Sequence, residues 1–220
     1  MPYEFDWTVI PENLRYLLSA LGMTFQISIS AVLIALVIGL VVGVAKSQSS
    51  FLARGPATLF VEVFRSVPIL ILLIWIYYGL AIVFNISFTP FTAGVIGLGL
   101  FYGAFLAETF RAGIQAISHG QREAAFMLGL NRWQTLYSVV LPQAFRVVIP
   151  PLANSYVGMI KDATLVSVLG LTEIMRAAQT VVYTTYRPFE VYTFVAAVYL
   201  VLTFVFGRAI GFVERRARTT

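Results

Sequence analysis

The chain has 220 residues, 59% of them hydrophobic and 11% charged, with a formal net charge of +5 and no cysteine. Soluble domains carry roughly 25% charged residues, and a fold of this length would run out of polar coat before it hid so much apolar surface, so its solvent is mostly lipid. The missing cysteine excludes disulfides, thiolate metal sites and thiol catalysis, and a lone His119 argues against a histidine metal site.

The N-terminal residues MPYEFDWTVIPENLR are acidic and lack the basic region and cleavage site of a signal peptide. Residues 1–19 read as an N-terminal interfacial segment, helical over 3–19 and leading into the first span, with Tyr3, Trp7 and Tyr16 as headgroup-level anchors. A crossing helix needs about 20 mostly apolar residues, and five stretches qualify. Span one runs from about Leu21 to Val44, with Gly39 and Gly43 at small-xxx-small spacing for close helix packing. Span two runs from about Ser66 to Phe84, and its Trp75, Tyr77 and Tyr78 read as packing aromatics. Span three covers about Phe91 to Ile117. Near its end Glu108 and Arg111 are three apart on one helix face and predict an ion pair, as does the same spacing of Glu62 and Arg65.

Residues 118–142 (SHGQREAAFMLGLNRWQTLYSVVLP) form a polar hairpin inside this apolar chain. Gln121 to Leu128 are helix formers, Gly129 suits the left-handed residue that closes a helix, and Asn131 is a good N-cap for a second one. Phe126, Leu130, Trp133, Tyr137 and Val140 make one apolar stripe, and Pro142 is expected to stop the second helix. The hairpin reads either as an amphipathic element on the inner leaflet or as a docking element for a cytoplasmic partner. Arg122 and Glu123 at its tip favour a protein, since an anionic membrane repels carboxylates.

Span four, about Phe145 to Ile160, is interrupted by Pro150, Pro151, Asn154 and Ser155, which predicts a discontinuous helix. It leads into MIKDATLVS (159–167), which places Lys161 and Asp162 at membrane depth. Charges there are costly and face a cavity or a partner. Ser155 and Asp162 are seven apart and share a helix face, so in a cavity Asp162 could accept the ammonium group of a ligand, with Ser155 one level away. The plainer reading is that Asp162 ties down the broken end of span four, with Thr164 or a neighbouring arginine. Span five runs from about Tyr192 to Phe212.

Eleven of the fifteen Lys/Arg residues fall on one side of a five-span chain: Lys46, Arg54, Arg65, Arg111, Arg122, Arg132, Arg146, Arg208, Arg215, Arg216 and Arg218. This pattern suits membrane orientation better than nucleic-acid binding, so no nucleic-acid partner is expected. It puts the N-terminus outside, the C-terminus in the cytoplasm and the hairpin in the cytoplasm. The expectation is an all-α polytopic membrane bundle, 1–220, without internal repeat or linker.

Glu123, Ala124, Ala125, Gly129 and Val139-Val140-Leu141-Pro142 resemble the EAA signature of ABC importer membrane subunits, with Val139 where isoleucine is usual. AETFRAGIQAISHGQREAA (107–125), LPQAFRVVIPPLANSYVGMIKDATLVSVLGLTEIMRAAQ (141–179), FRSVP (64–68) and the Phe5-Asp6-Trp7 start are similar to the permeases of polar amino-acid importers. The resemblance implies a type I importer permease in a bacterial cytoplasmic (inner) membrane, in contact with membrane lipid. It implies a second permease subunit, identical or different, an ABC ATPase dimer and an extracytoplasmic amino-acid-binding protein. Glu123, Ala124, Ala125 and Gly129 would form a coupling helix seated on the ATPase, and the position of Asp162 is acidic in related importers of charged amino acids. No cofactor is implied for this chain. It lacks a G-x-x-x-x-G-K-[ST] phosphate loop, so ATP and Mg belong to the partner ATPase and this chain is not an enzyme. The rival readings are an ATP-independent secondary amino-acid carrier and a structural membrane subunit. Which amino acid is carried is not legible, although Ser155, being neutral, supplies no second acid for a basic side chain.

Overall fold

A computed structural model describes residues 3–218, and side chains through Arg208. The elements are helical throughout: α1 (Val9–Ser47), α2 (Phe51–Ser66), α3 (Ile69–Ile74), a π turn (Trp75–Gly79), α4 (Leu80–Phe84), α5 (Pro90–Ala116), α6 (His119–Met127), α7 (Arg132–Thr135), a second π turn (Leu136–Val140), α8 (Leu141–Asp162), a 3₁₀ segment (Ala163–Leu169), α9 (Ile174–Thr185) and α10 (Pro188–Arg218). Among the described residues, four stretches are long and apolar enough to cross a membrane: α1, α5, Arg132–Leu169 and Pro188–Arg208. A fifth crossing is available if Phe51–Ser66 and Ile69–Phe84 count as one broken span.

Several expectations are corrected. Residues 3–8 are not helical, and the helix that begins at Val9 runs without a break through span one, because Pro11 falls in the first turn, where no intrahelical N–H bond is lost, and no proline follows it before Ser47. Residues 51–66 form a helix of their own, burying Ala57 and Val61 one turn apart, and carry Pro56 within it. Pro142 does not stop the second hairpin helix. The π turn at Leu136–Val140 directly precedes it, and such a local adjustment reassigns the backbone bonds that a proline would break. Pro150 and Pro151 likewise sit inside an uninterrupted α8, and the helical geometry changes only at Asp162. The side chains of Arg215, Arg216 and Arg218, used above for orientation, lie outside the described residues.

The chain forms two units, with the divisions falling inside its long helices. The first comprises Met1–Ala31, Ile69–Leu98 and Tyr156–Ala209. Its core joins Val9, Leu17 and Ala20 of α1 to Ile174, Ala177, Ala178 and Val181 of α9 and to Val191 and Val195 of α10. The α9 residues fall at helical spacing and make one buried stripe. Glu173 caps this helix, accepting hydrogen bonds from the backbone N–H groups of Met175 (3.0 Å) and Arg176 (2.9 Å). At the chain start, the Tyr3 hydroxyl and the Asp6 N–H donate to Glu190, which is fully buried at the head of α10. Phe5 and Trp7 stack beside this joint, and Phe189 meets both rings edge-on. Tyr3 and Trp7 are thus engaged with α10 as well as partly exposed.

The second unit comprises Val32–Pro68, Gly99–Ser155 and Ile210–Thr220. Gly39 and Gly43 let α1 and α5 approach closely. A Cβ on Gly39 would lie 2.6 Å from Leu106 Cβ, and one on Gly43 would lie 2.7 Å from the Ala107 carbonyl oxygen. The small-xxx-small reading of this pair therefore holds. Beneath the hairpin, Ile114, Leu136, Val140, Leu141 and Ala144 form a separate core cluster.

Candidate functional site

The hairpin belongs wholly to the second unit and is built as its local chemistry dictates. Gly129 takes φ +81°, a backbone region that residues with a Cβ avoid, and so closes α6. Asn131 then opens α7 with a capping box: its side chain accepts from the Gln134 N–H at 2.9 Å, and its own N–H donates to Gln134 Oε1 at 2.9 Å. Ala125 is buried against the body of the unit, while Ala124 is exposed beside Glu123. Of the apolar stripe, Phe126, Trp133 and Tyr137 are exposed, while Val140 is buried, as is Leu136 beside it. Trp133 and Tyr137 stack on each other, with ring centroids 6.2 Å apart.

Glu123 is exposed and pairs with His119 one turn earlier, Nδ1 to Oε1 at 2.9 Å. Its neighbour Arg122 points the other way and donates from NH2 to the Ile114 carbonyl at the end of α5. This bond ties the hairpin to the helix that precedes it. The arginine beside Glu123 is therefore already committed within the chain. Neither His119 nor this use of Arg122 was expected from the sequence, although His119 and Glu123 do stand at i,i+4 spacing.

At the root of the same lever, Glu108 sits between two cations. It accepts from Lys46 of α1 and from Arg111 Nε at 2.8 Å, and Arg111 NH1 continues to Gln115 Oε1 at 2.8 Å. The Glu108–Arg111 pair is as expected; Lys46 comes from sixty-two residues away in sequence and was not. Glu62 and Arg65 do not pair, because the Arg65 guanidinium lies over the Phe105 ring, 4.9 Å from its centroid.

Ser155 and Asp162 both lie on α8 but fall in different units. The Ser155 hydroxyl donates to the Pro151 carbonyl at 2.9 Å. Asp162 is half-buried where α8 passes into the 3₁₀ segment, and its side chain does not cap that segment. Thr164 instead donates to the Lys161 carbonyl at 2.7 Å. Among the described residues no group of three or more His, Cys, Asp or Glu is placed to hold a metal.

Comparison with known proteins agrees over almost the whole length. Residues 35–219 match the family described as binding-protein-dependent transport system inner membrane component. The chain is 37% identical over 216 residues to the glutamine transport system permease protein GlnP of Escherichia coli, covering 98% of this chain and 99% of that one. It is 33% identical over 224 residues to the glutamate/aspartate import permease protein GltK of Escherichia coli, covering 97% and 99%. Among solved structures, an amino acid ABC transporter crystallised with histidines matches with a TM-score of 0.90 at 36% identity, covering 97% of this chain and all of that one. The inward-facing MetNI methionine ABC transporter shares the fold, with a TM-score of 0.80 at 20% identity over 94% of this chain. The apolar crossing helices, the EAA hairpin and these matches together place the chain in the family of binding-protein-dependent transport system inner membrane components.

Proposed function

We propose that this chain is the permease subunit of an ATP-binding cassette importer for polar amino acids in a bacterial cytoplasmic membrane. It crosses five times with the N-terminus outside, as one functional membrane domain, and pairs with a second permease to form the path. An extracytoplasmic binding protein delivers the amino acid, and ATP and Mg are held by a separate ATPase dimer. The hairpin at 118–142 is the coupling element: Glu123 takes a basic residue of the ATPase, Ala124 and Ala125 permit close approach, and Gly129 makes the turn. Two closing ATPases can work on a membrane domain only through a stiff lever rooted in it. The Arg122–Ile114 bond and the Glu108 ion cluster supply such a root. In the path, Asp162 receives the ammonium group that every amino acid carries, with Ser155 beside the route.

The observation that carries this reading is an exposed carboxylate, Glu123, held on a short capped hairpin of a chain whose amino-acid permease relatives match it end to end. A secondary carrier has no use for such an element. The complex with its ATPase and binding protein, reconstituted in liposomes, tests it. Glu123→Arg is expected to leave the permease inserted while uptake of glutamine-like amino acids stops and ATP hydrolysis no longer responds to the loaded binding protein. Unchanged uptake in that variant counts against the coupling role.

A further inference from the structure

In the first unit, α3, the Trp75–Gly79 turn and α4 form one helical stretch with unequal support. Its first part is anchored. Leu72, Leu73 and Ile76 are buried, and Leu73 and Ile76 lie against Gly97 of α5, where an added Cβ would come within 2.7 Å of Leu73 and 3.5 Å of Ile76. Its last part, α4, buries no residue, and Ile82, Val83 and Phe84 are exposed. Between the two stands the π turn, closed by the Leu80 N–H on the Trp75 carbonyl. The other π turn, Leu136–Val140, is followed closely by Pro142, which accounts for it. No proline follows this one before Pro90. A π turn places one extra residue in an α-helix and is frequent at functional sites.

Two aromatic contacts hold the turn open. The Trp75 indole covers Gly79 in the space a side chain would take: a Cβ there would lie 2.7 Å from Trp75 Cε3. Tyr77 and Tyr78 meet edge to face, with centroids 4.6 Å apart. Consecutive residues on an α-helix do not face each other, and the wider turn brings these two together. Trp75 and Tyr78 are exposed, so their rings can move without opening the core. The turn is thus a joint between an anchored segment and an unanchored one. We propose that Trp75–Gly79 is a hinge of the transport cycle. When the indole leaves Gly79, the turn tightens to α-helical pairing and the Leu80 N–H passes from the Trp75 carbonyl to that of Ile76. The extra residue enters the α register, so α4 turns by about 100° and advances by about 1.5 Å, while Leu73 and Ile76 keep their seat on Gly97. The exposed apolar side chains of α4 are carried to a new face, at the end of the span that the proposed topology puts outside. This rests on the permease function given above.

The test uses the permease with its ATPase and binding protein in liposomes. Deleting Tyr78 removes the extra residue and fixes the stretch as α-helix. The thermal stability of the permease is expected to stay level or rise, while ATP-driven uptake of a labelled amino-acid mixture falls about tenfold. Hydrogen exchange gives a reading that needs no variant. Between the nucleotide-free and vanadate-trapped wild-type complexes, amide protection across Trp75–Leu80 is expected to change about tenfold and that of Ile69–Ile74 to stay the same. A deletion variant that folds and transports like wild type overturns the hinge, and so does equal protection of Trp75–Leu80 in the two states. If the deletion variant does not fold, the exchange result decides. Wild-type liposomes that take up no amino acid with ATP overturn the permease reading and the hinge with it; wild-type uptake with an unmoved turn overturns the hinge alone.

Discussion

His119 Nδ1 lies 2.9 Å from the Glu123 carboxylate, one turn apart on an exposed helix. Glu123 therefore meets any partner already paired, and docking on a basic residue exchanges the imidazole for that residue. Exposed pairs of this kind contribute roughly 0.2–1 kcal/mol, so the exchange is easy. His119→Ala is expected to leave thermal stability within about 1 kcal/mol of wild type and to leave coupled uptake intact. If it stopped uptake as Glu123→Arg does, His119 would itself be a contact residue.

The glycines at the α1–α5 contact are expected to be intolerant of any side chain. Gly43→Ala places a methyl 2.7 Å from a backbone oxygen, which cannot yield without moving a helix. The expected loss is about 1–3 kcal/mol, the usual range for overpacking. Gly22→Ala is the control. Its Cβ meets nothing within 4 Å, and alanine favours helix by up to about 1 kcal/mol. Thermal denaturation in detergent should lower the first variant and leave or raise the second.

Glu108 holds two cations near the foot of the lever, its side chain about one-fifth exposed. Removing it strands both. Glu108→Ala should destabilise the permease by about 1–3 kcal/mol, the range for leaving partly buried groups without their hydrogen-bond partner. Lys46→Met, which leaves Glu108 its Arg111 partner, should have a smaller effect. Equal effects of the two substitutions would show that Arg111, not Lys46, is the spectator.

Glu173 gives the first unit a pH dependence. Burial pushes its carboxyl up to about 7, against the opposing hydrogen bonds from Met175 and Arg176, with the buried Tyr199 hydroxyl nearby. The folded form thus binds the proton more tightly than an exposed carboxyl would. Stability from this group is fully present below its ordinary value of 4.5 and is lost as pH rises through about 7. Across that window it amounts to about 3 kcal/mol. Glu173→Gln keeps an acceptor for the α9 cap and should flatten the stability profile between pH 5 and pH 8. A profile as steep as wild type would place the titrating group elsewhere.

Asp162→Asn keeps size and removes charge. Uptake is expected to fall at least tenfold with ATPase recruitment unchanged, whereas Asp162→Glu should retain part of it. Ser155→Ala, whose hydroxyl already donates to Pro151, should have a smaller effect. Full uptake in Asp162→Asn would make that carboxyl structural.

Much of the hairpin was legible because its determinants are local. Gly129 and Asn131 act on their own backbone and on groups within three residues, so their types announce the turn and cap. The exposed stripe was not legible. Periodicity places Phe126, Trp133 and Tyr137 on one face but cannot say whether that face meets the core, lipid or another protein. The prolines misled for a related reason. Pro142 and Pro150-Pro151 are local breakers by propensity, yet the π turn and the rest of the chain accommodate them within one helical stretch, Arg132–Leu169.

By itself the sequence settles that the chain lives in lipid, roughly where it crosses, and that a capped polar hairpin interrupts it. Composition, apolar length and capping chemistry are properties of contiguous residues. Only the tertiary structure decides that Lys46 reaches Glu108, that Tyr3 is gripped by Glu190, that Gly43 lies against Ala107, and that Arg122 turns back to Ile114. The first three join residues far apart in the chain. Arg122 joins near neighbours, but which way it turns depends on the packing around it. Each partner is chosen by three-dimensional proximity and by the need of a buried charge to find a counter-charge, neither of which leaves a periodic mark in the chain.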